Sequence, residues 1–246
     1  MQQSNSPSFW SDVNALRSSW QVVEPEENSF ISEFPETISR AICLRHLELP
    51  VKQFIQQGID SSDAYKIGPD GLASLVRNQE DEDRHDIALS NCFKAMRNFN
   101  PKYTLEASSI IQEWLDLDVN PITKTAVLEN SVFFIILPIF NKYGFSPLRE
   151  TSRDISRDER IHVITHRKAA QLLNSPPTKA LNALRIKTVD WLTQSMDTEI
   201  EAGLKDKYML SSYNLLTKGI SSLDESKTVT GVAFFEKPNN HISKYS

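Results

Sequence analysis

Two short segments of the chain pair a glutamate with a histidine three residues later. They are Glu82-Asp83-Arg84-His85 and Glu159-Arg160-Ile161-His162. Residues i and i+3 share one face of a helix, so the carboxylate and the imidazole of each pair can bind the same metal ion. A single pair of this kind is common on a solvated helix face. Two pairs in one chain indicate a metal site built between two helices.

A third acidic residue, Glu129, lies in an apolar segment between these two pairs. Val127 and Leu128 precede it, and the apolar residues 132–137 follow it. An unpaired carboxylate in such surroundings would cost several kcal/mol, and a metal ion offsets that cost. Carboxylate and imidazole ligands around two ions suit iron or manganese, which leave coordination positions open for dioxygen.

These segments resemble part of a known protein family. Residues 128–134 (LENSVFF) and 155–162 (ISRDERIH) are similar to the metal-binding half of the small, radical-generating subunit of class I ribonucleotide reductase. Further short matches follow in the family's order: Ser8-Phe9-Trp10, Pro25-Glu26-Glu27, Phe30-Ile31-Ser32 and Phe234-Phe235-Glu236-Lys237. The resemblance implies an all-α, ferritin-like helical bundle with a di-metal carboxylate site in its core. It also implies two metal ions, Fe/Fe or Mn/Fe, that react with dioxygen.

The resemblance further implies roles for single residues. The matches to the family's metal ligands are Glu82, His85, Glu129, Glu159 and His162. Trp10 and Asp158 match the tryptophan and aspartate that, with the metal-bound histidine, carry an electron and a proton between the site and the surface. Tyr245 lies where the family keeps a tail tyrosine that relays the radical. Structural alternatives stay open: Trp10 as an anchoring aromatic, Asp158 as an acceptor that fixes an imidazole tautomer, and Tyr245 without a role.

One departure from the family concerns the stored radical. Four residues after His85, the family usually has the tyrosine that stores the radical, and this chain has Leu89. Family members without that tyrosine hold the oxidising equivalent on a manganese/iron pair. The sequence therefore resembles that variant, or a subunit that has lost radical storage.

A second departure concerns the first helix. The family's carboxylate ligand falls near Ile42 or Cys43, and neither side chain binds a hard metal ion. A shifted or kinked helix would bring Glu48, or else His46, to the site, and Pro35 and Pro50 favour such a kink. The chain is also short for the family, both between His85 and Glu129 and after Tyr245.

The elements that must position these residues are predicted to be helices, because glycine is scarce and apolar residues recur at helical spacing. The first helix is predicted to open at residues 24–27 and to continue past Pro35 to about Pro50. An extended segment is predicted at 228–235, after further helices near 72–98, 105–117, 122–143, 147–173, 181–204 and 208–218. The expected domains are an extended N-terminal arm at 1–24, the bundle at 25–225 and a C-terminal tail at 226–246.

Composition narrows the function classes. The chain has 246 residues with 7 Gly, and 27 basic against 32 acidic residues give a net charge of −5 without a basic block. Nucleic acid is therefore not an expected partner. Cys43 and Cys92 lack metal or redox spacing, which favours a reducing, cytoplasmic compartment. The apolar run from Val132 to Phe140 is too short to cross a membrane and contains Pro138.

Three functional hypotheses follow from the resemblance and its departures. The first is a small subunit, expected as a homodimer, that supplies an oxidant to the large subunit of ribonucleotide reductase. The second is a ferritin-like oxidase or oxygenase that acts on its own substrate and uses Leu89 as a pocket wall. The third is a metal-poor bundle that is a structural or regulatory partner of the large subunit.

Overall fold

The computed structural model describes residues 7–17, 19–26, 32–96, 99–200 and 203–210. Within these ranges the architecture is the predicted all-α helical bundle, with short 3₁₀ turns at Leu44–Leu47 and Ala64–Lys66. The helices are α1 (Pro7–Asn14), α2 (Pro35–Cys43), α3 (Glu48–Ile59), α4 (Pro69–Lys94), α5 (Lys102–Asp116), α6 (Pro121–Leu128), α7 (Phe134–Tyr143), α8 (Ser146–Leu173), α9 (Lys179–Thr193), α10 (Met196–Glu199) and α11 (204–210). The predicted tail, with its extended segment 228–235 and Tyr245, lies outside the described residues.

Four helical elements form the centre of the bundle: α3, α4, the continuous stretch α6–α7, and α8. Helix α3 packs on α4 and α6, while α8 packs on α4, α6 and α7. Helices α2, α5 and α9 pack on one another and cover one side of this centre, and α1 lies against α4 and α8. One hydrophobic core runs through these elements, from Trp10 in α1 to Tyr208 in α11.

The stretch Pro121–Tyr143 is largely buried. It is 23 residues long and apolar enough to cross a membrane by length and composition, but 89% of its most apolar window is buried inside the protein. A helix that is apolar on every side belongs in a core where neighbours surround it. Packing against α2, α3, α8 and α9 provides those neighbours here.

A π-helical turn, Glu129–Phe133, interrupts this buried stretch. Two side chains compete for backbone carbonyls at its start: Asn130 Nδ2 donates to the Ala126 carbonyl at 2.7 Å, and Ser131 Oγ donates to the Val127 carbonyl. Such bonds loosen the regular helical ladder. Single π turns of this kind are frequent at functional sites, and this one begins at Glu129.

The first long helix begins later than the sequence predicts. Residues 19–26 are not helical, and α2 starts at Pro35, with Glu36 in its first turn. The predicted helix, with a start at residues 24–27 and continuing past Pro35, is therefore wrong, because the described residues 24–26 and 32–34 are not helical. The reason is tertiary, because the carboxylate of Glu199 in α10 accepts hydrogen bonds from the backbone N–H groups of Glu36 and Thr37 at 2.9 and 2.8 Å. These bonds satisfy donors that a helix start leaves unpaired.

The described part of the N-terminal arm, residues 7–17 and 19–24, packs on the body, and it contains a helix rather than being extended. Trp10 in α1 is 5% exposed and makes an edge contact with Phe9. It lies over Gly71 in α4, where an added Cβ would stand 2.7 Å from the Trp10 ring. The absence of a side chain at Gly71 is therefore what lets the indole lie so close to α4.

Candidate metal centre

Six buried side chains from four elements converge in the centre of the bundle. Each is 0% exposed. Glu48 is the first residue of α3, and Glu129 begins the π-helical turn. Helices α4 and α8 each contribute one Glu-x-x-His pair, as the i, i+3 spacing predicts. The structure thus brings together the residues Glu48, Glu82, His85, Glu129, Glu159 and His162 in two groups that could each hold a metal ion.

The first group surrounds Nδ1 of His85. This atom lies 3.9 Å from Oε2 of Glu48, 3.6 Å from Oε2 of Glu82 and 3.4 Å from Oε1 of Glu159. All four side chains offer ligand atoms within 4.8 Å of one another. All four side chains could therefore bind the same metal ion.

The second group surrounds Nδ1 of His162. This atom lies 2.9 Å from Oε1 of Glu82, 3.8 Å from Oε1 of Glu129 and 3.4 Å from Oε1 of Glu159. Glu82 therefore directs one oxygen to each histidine, and Glu159 is equally distant from both. Carboxylates placed in this way can bridge two ions.

Many of the candidate ligand atoms are buried without a hydrogen-bond partner, as expected of atoms that bind metal ions. Buried atoms without a hydrogen-bond partner include both carboxylate oxygens of Glu48, Glu82 and Glu159, Oε1 of Glu129, and Nδ1 of His85 and His162. Buried polar atoms normally have partners, and metal ions could satisfy the many unpaired acceptors that meet at this point. Four carboxylates also balance the charge of two divalent ions.

The crowding of four carboxylates moves their pKa values apart. Burial raises the pKa of Glu48 well above its usual range, and the nearby charge of Glu82 raises it further. Burial and the charge of Glu159 raise the pKa of Glu129 in the same way. Burial would also raise the pKa of Glu82, but the nearby charge of His162 lowers it well below its usual range. Without a cation, Glu48 and Glu129 therefore tend to hold protons while Glu82 stays ionised.

Asp158 fixes the orientation of His85. Oδ2 of Asp158 lies 3.3 Å from Nε2 of His85, and it also accepts hydrogen bonds from Trp20 Nε1 at 2.7 Å and from Arg84 at 2.8 Å. Burial alone would raise the pKa of Asp158, but these hydrogen bonds lower it to about 2. An ionised acceptor at Nε2 leaves the Nδ1 lone pair of His85 facing the ligand group.

The tryptophan that contacts Asp158 is Trp20, so the expectation of Trp10 at this place is corrected. Trp10 is held in the core over Gly71, which fits its alternative role as an anchoring aromatic. Trp20 is half-buried and its ring stacks on His85 at 6.2 Å between centroids. The two tryptophans are ten residues apart in sequence, and only the course of residues 15–17 and 19–26 over the bundle decides between them.

Asp81 provides the matching contact at the other histidine. Its Oδ2 lies 3.2 Å from Nε2 of His162 and 2.7 Å from a guanidinium nitrogen of Arg17. Arg84 joins the two aspartates, with contacts of 2.6 Å to Asp81 and 2.8 Å to Asp158. Sequence reasoning missed Asp81, although a repeated signal was present, because an aspartate directly precedes the glutamate of both Glu-x-x-His pairs.

The positions of Glu48 and His46 show which of these two predicted first-helix ligands lies at the site. The His46 side chain is 46% exposed and lies 3.6 Å from Asp86, whereas Glu48 is fully buried in the ligand group. The 3₁₀ turn Leu44–Leu47 winds roughly 20° more per residue than an α-helix, about 80° over its four residues. This rotation, together with Pro50 in the first turn of α3, points Glu48 inward and His46 outward.

Two further residues complete the surroundings. Leu89, one helical turn after His85, is a buried aliphatic side chain with 0% exposure. His166, which sequence reasoning missed, is also 0% exposed and its Nδ1 lies 2.5 Å from Oε2 of Glu129. It lies one helical turn after His162, and that i, i+4 spacing was the available signal.

Comparison with protein-family models, with curated proteins and with solved structures gives no match. The buried carboxylate and histidine groups in an all-α bundle are therefore the findings on which any function must rest.

Proposed function

We propose that this chain is the small, metal-binding subunit of a class I ribonucleotide reductase, which generates the oxidant used by a large catalytic subunit. The observation that supports this proposal most directly is the hydrogen-bonded chain from His85 through Asp158 to Trp20. It leads from the buried ligand group to a half-buried indole near the surface. A site that acted only on a substrate bound beside the metals would not need such a connection.

The six ligands suit iron or manganese, and such ions supply the redox chemistry that activates dioxygen. The bridging positions of Glu82 and Glu159 suit a pair of ions rather than one. Full burial of the ligands excludes water, which strengthens the electrostatic interactions inside the site.

The residues around the ligands hold protons and charge in place. Trp20 donates its Nε1 proton to Oδ2 of Asp158, so an indole that loses an electron can pass that proton along an existing hydrogen bond. The guanidinium of Arg84 lies 4.9 Å from the centre of the Trp20 ring and keeps Asp158 ionised. Arg17 and Arg84 together balance the charges of Asp81 and Asp158.

The assembly belongs to the proposal. It comprises a homodimer, a large subunit as the partner, and a cytoplasmic setting. The absence of a tyrosine at position 89 favours storage of the oxidising equivalent at a Mn/Fe pair. Tyr245 is proposed as the relay residue of the tail.

A second candidate is a di-metal oxidase or oxygenase with its own organic substrate. The fully buried Leu89 favours it, because an aliphatic side chain one helical turn after His85 can form the wall of a substrate pocket. This candidate uses the same six ligands but gives Trp20 no role.

The test compares Trp20→Phe with Trp10→Phe, which makes the same chemical change in the core. Each chain is loaded with Fe²⁺ and Mn²⁺ without oxygen, exposed to air, and assayed with a co-expressed large subunit for deoxyribonucleotide formation. We expect both variants to bind metal and consume dioxygen, while Trp20→Phe alone abolishes reduction.

Two outcomes would contradict the proposal. If metal binds and dioxygen is consumed, but no deoxyribonucleotide forms with the wild-type chain, the oxygenase candidate replaces it. If the wild-type chain binds no stoichiometric metal and gives no paramagnetic signal, both enzymatic candidates fail and a structural partner of the large subunit is left.

A further inference from the structure

His166 lies between a candidate ligand and a buried amide. Its Nδ1 is 2.5 Å from Oε2 of Glu129, and its Nε2 is 3.1 Å from Nδ2 of Asn78. All three side chains are 0% exposed. Neither candidate ligand group includes His166. His166 therefore contacts the candidate ligand Glu129 and is not itself a candidate ligand.

The hydrogen-bond directions around Asn78 follow from Arg17, which can only donate. A guanidinium nitrogen of Arg17 contacts Oδ1 of Asn78, which identifies that atom as the amide oxygen. The Nδ2 group then has two N–H bonds and two acceptors, Thr165 Oγ1 at 2.7 Å and His166 Nε2 at 3.1 Å. The amide is fully satisfied in this orientation and in no other.

This arrangement fixes the tautomer of His166. Nε2 accepts from Asn78, so the ring proton is on Nδ1, and Nδ1 donates to Oε2 of Glu129. Oε1 of Glu129 has no hydrogen-bond partner and lies 3.8 Å from Nδ1 of His162 in the second ligand group. One oxygen of Glu129 is thus held, and the other faces the place of the ion.

We propose that His166 is a positioning residue of the second metal site and restricts Glu129 to ligation through Oε1. The inference rests on the proposed di-metal function and adds an asymmetry to it. Glu129 belongs only to the second group, whereas Glu82 and Glu159 lie near both histidines. With Oε2 of Glu129 held by His166, Glu129 would offer a bound ion one oxygen rather than two.

The experiment uses two substitutions that separate the two ring nitrogens of His166. In His166→Asn, the amide nitrogen takes the place of Nδ1 and continues to donate to Glu129. In His166→Gln, the amide group takes the place of Nε2, so it accepts from Asn78 but no longer donates to Glu129. The exposed His46→Gln makes the same chemical change outside the site and is the matched control.

The measurement is an anaerobic Mn²⁺ titration of the full chain. Calorimetry gives the two dissociation constants, and electron paramagnetic resonance distinguishes a single ion from a coupled pair. Outer-sphere partners of metal ligands typically change affinity by about ten- to hundredfold. We therefore expect His166→Gln to weaken the second binding step by that factor and leave the first unchanged, while His166→Asn and His46→Gln titrate like the wild type.

The outcomes separate this inference from the function on which it rests. Equal titration of His166→Gln, His166→Asn and the wild type, with two ions bound, overturns the positioning role and leaves the di-metal site intact. Failure of the wild-type chain to bind Mn²⁺ overturns both. A purely structural role would lower the melting temperature of both metal-free variants, followed by circular dichroism, without separating their titrations, and that result also overturns the inference.

Discussion

Oδ2 of Asp158 in α8 lies 3.3 Å from Nε2 of His85 in α4. The reciprocal contact joins Asp81 in α4 to His162 in α8 at 3.2 Å. Each Glu-x-x-His helix therefore orients the histidine of the other. A shift of one residue between α4 and α8 would break both contacts, so the same pair of hydrogen bonds sets the helix register and aims both Nδ1 atoms at the ligand groups.

The Glu82→Gln substitution should weaken the binding of both ions. Its two oxygens face His85 and His162 separately, so the loss of one negative charge affects both groups. We expect both dissociation constants to rise by at least the ten- to hundredfold typical of an outer-sphere change. Anaerobic Mn²⁺ titration measures this, and Glu80→Gln, on the exposed side of the same helix, is the control. Loss of only one ion would show that Glu82 does not bridge.

The Glu48→Gln substitution should weaken the binding of the ion in the first group and leave the second binding step unchanged. Glu48 belongs to the group around His85 and is not a member of the second group. His46→Gln should leave both binding steps unchanged, because that side chain is 46% exposed. Metal analysis after gel filtration separates the two outcomes. Equal loss of metal in both variants would contradict Glu48 as a ligand and would mean that both substitutions act by disturbing the turn before α3.

Metal binding should strengthen as pH rises. Glu48 and Glu129 have raised pKa values through burial and neighbouring carboxylates, and His85 and His162 have raised pKa values because their hydrogen bonds and charged partners outweigh burial. The metal-free site therefore holds protons that an incoming ion must displace. The stability that these protonated groups contribute to the metal-free chain is lost as pH rises through the raised pKa values.

Consequently, the increase in melting temperature on adding Mn²⁺ should be larger at pH 8 than at pH 6. Calorimetry in two buffers of different ionisation enthalpy should also detect proton release on binding. A metal-induced increase that is the same at both pH values would contradict the protonation of this site.

The Leu89→Tyr substitution should introduce an oxidisable phenol one helical turn after His85. Leu89 is fully buried, so a larger ring costs about 1–3 kcal/mol of stability. Leu89→Phe carries the same steric cost without the hydroxyl group and is the matched control. After loading with iron and exposure to air, we expect a tyrosyl signal in electron paramagnetic resonance from the Tyr variant only. A folded, metal-loaded Tyr variant without that signal would contradict an oxidising centre at this site.

Much of the ligand set was predictable because it depends on local geometry. The i, i+3 spacing puts Glu82 with His85, and Glu159 with His162, wherever the two helices lie. The apolar surroundings of Glu129 indicated a buried carboxylate, and the structure places it at the start of a π-helical turn. That turn itself was not predicted, since it depends on how Asn130 and Ser131 hydrogen-bond inside the core.

The groups around the ligands could not be assigned from spacing. Trp20 reaches Asp158 across 138 residues of sequence, and Arg17 reaches Asp81 across 64. Sequence order favoured Trp10, yet the segment after α1 crosses the bundle so that the second tryptophan lies over His85. His166 stood at a helical spacing from His162, but its partner Glu129 lies on another element.

The sequence by itself determined an all-α chain, two Glu-x-x-His helices and a buried acid between them. It did so because helical periodicity and the cost of burying charge act over a few residues. The tertiary structure alone decided Glu48 over His46, Trp20 over Trp10, and the roles of Asp81 and His166. These depend on the rotation of a 3₁₀ turn and on the register of packed helices, which distant residues set together.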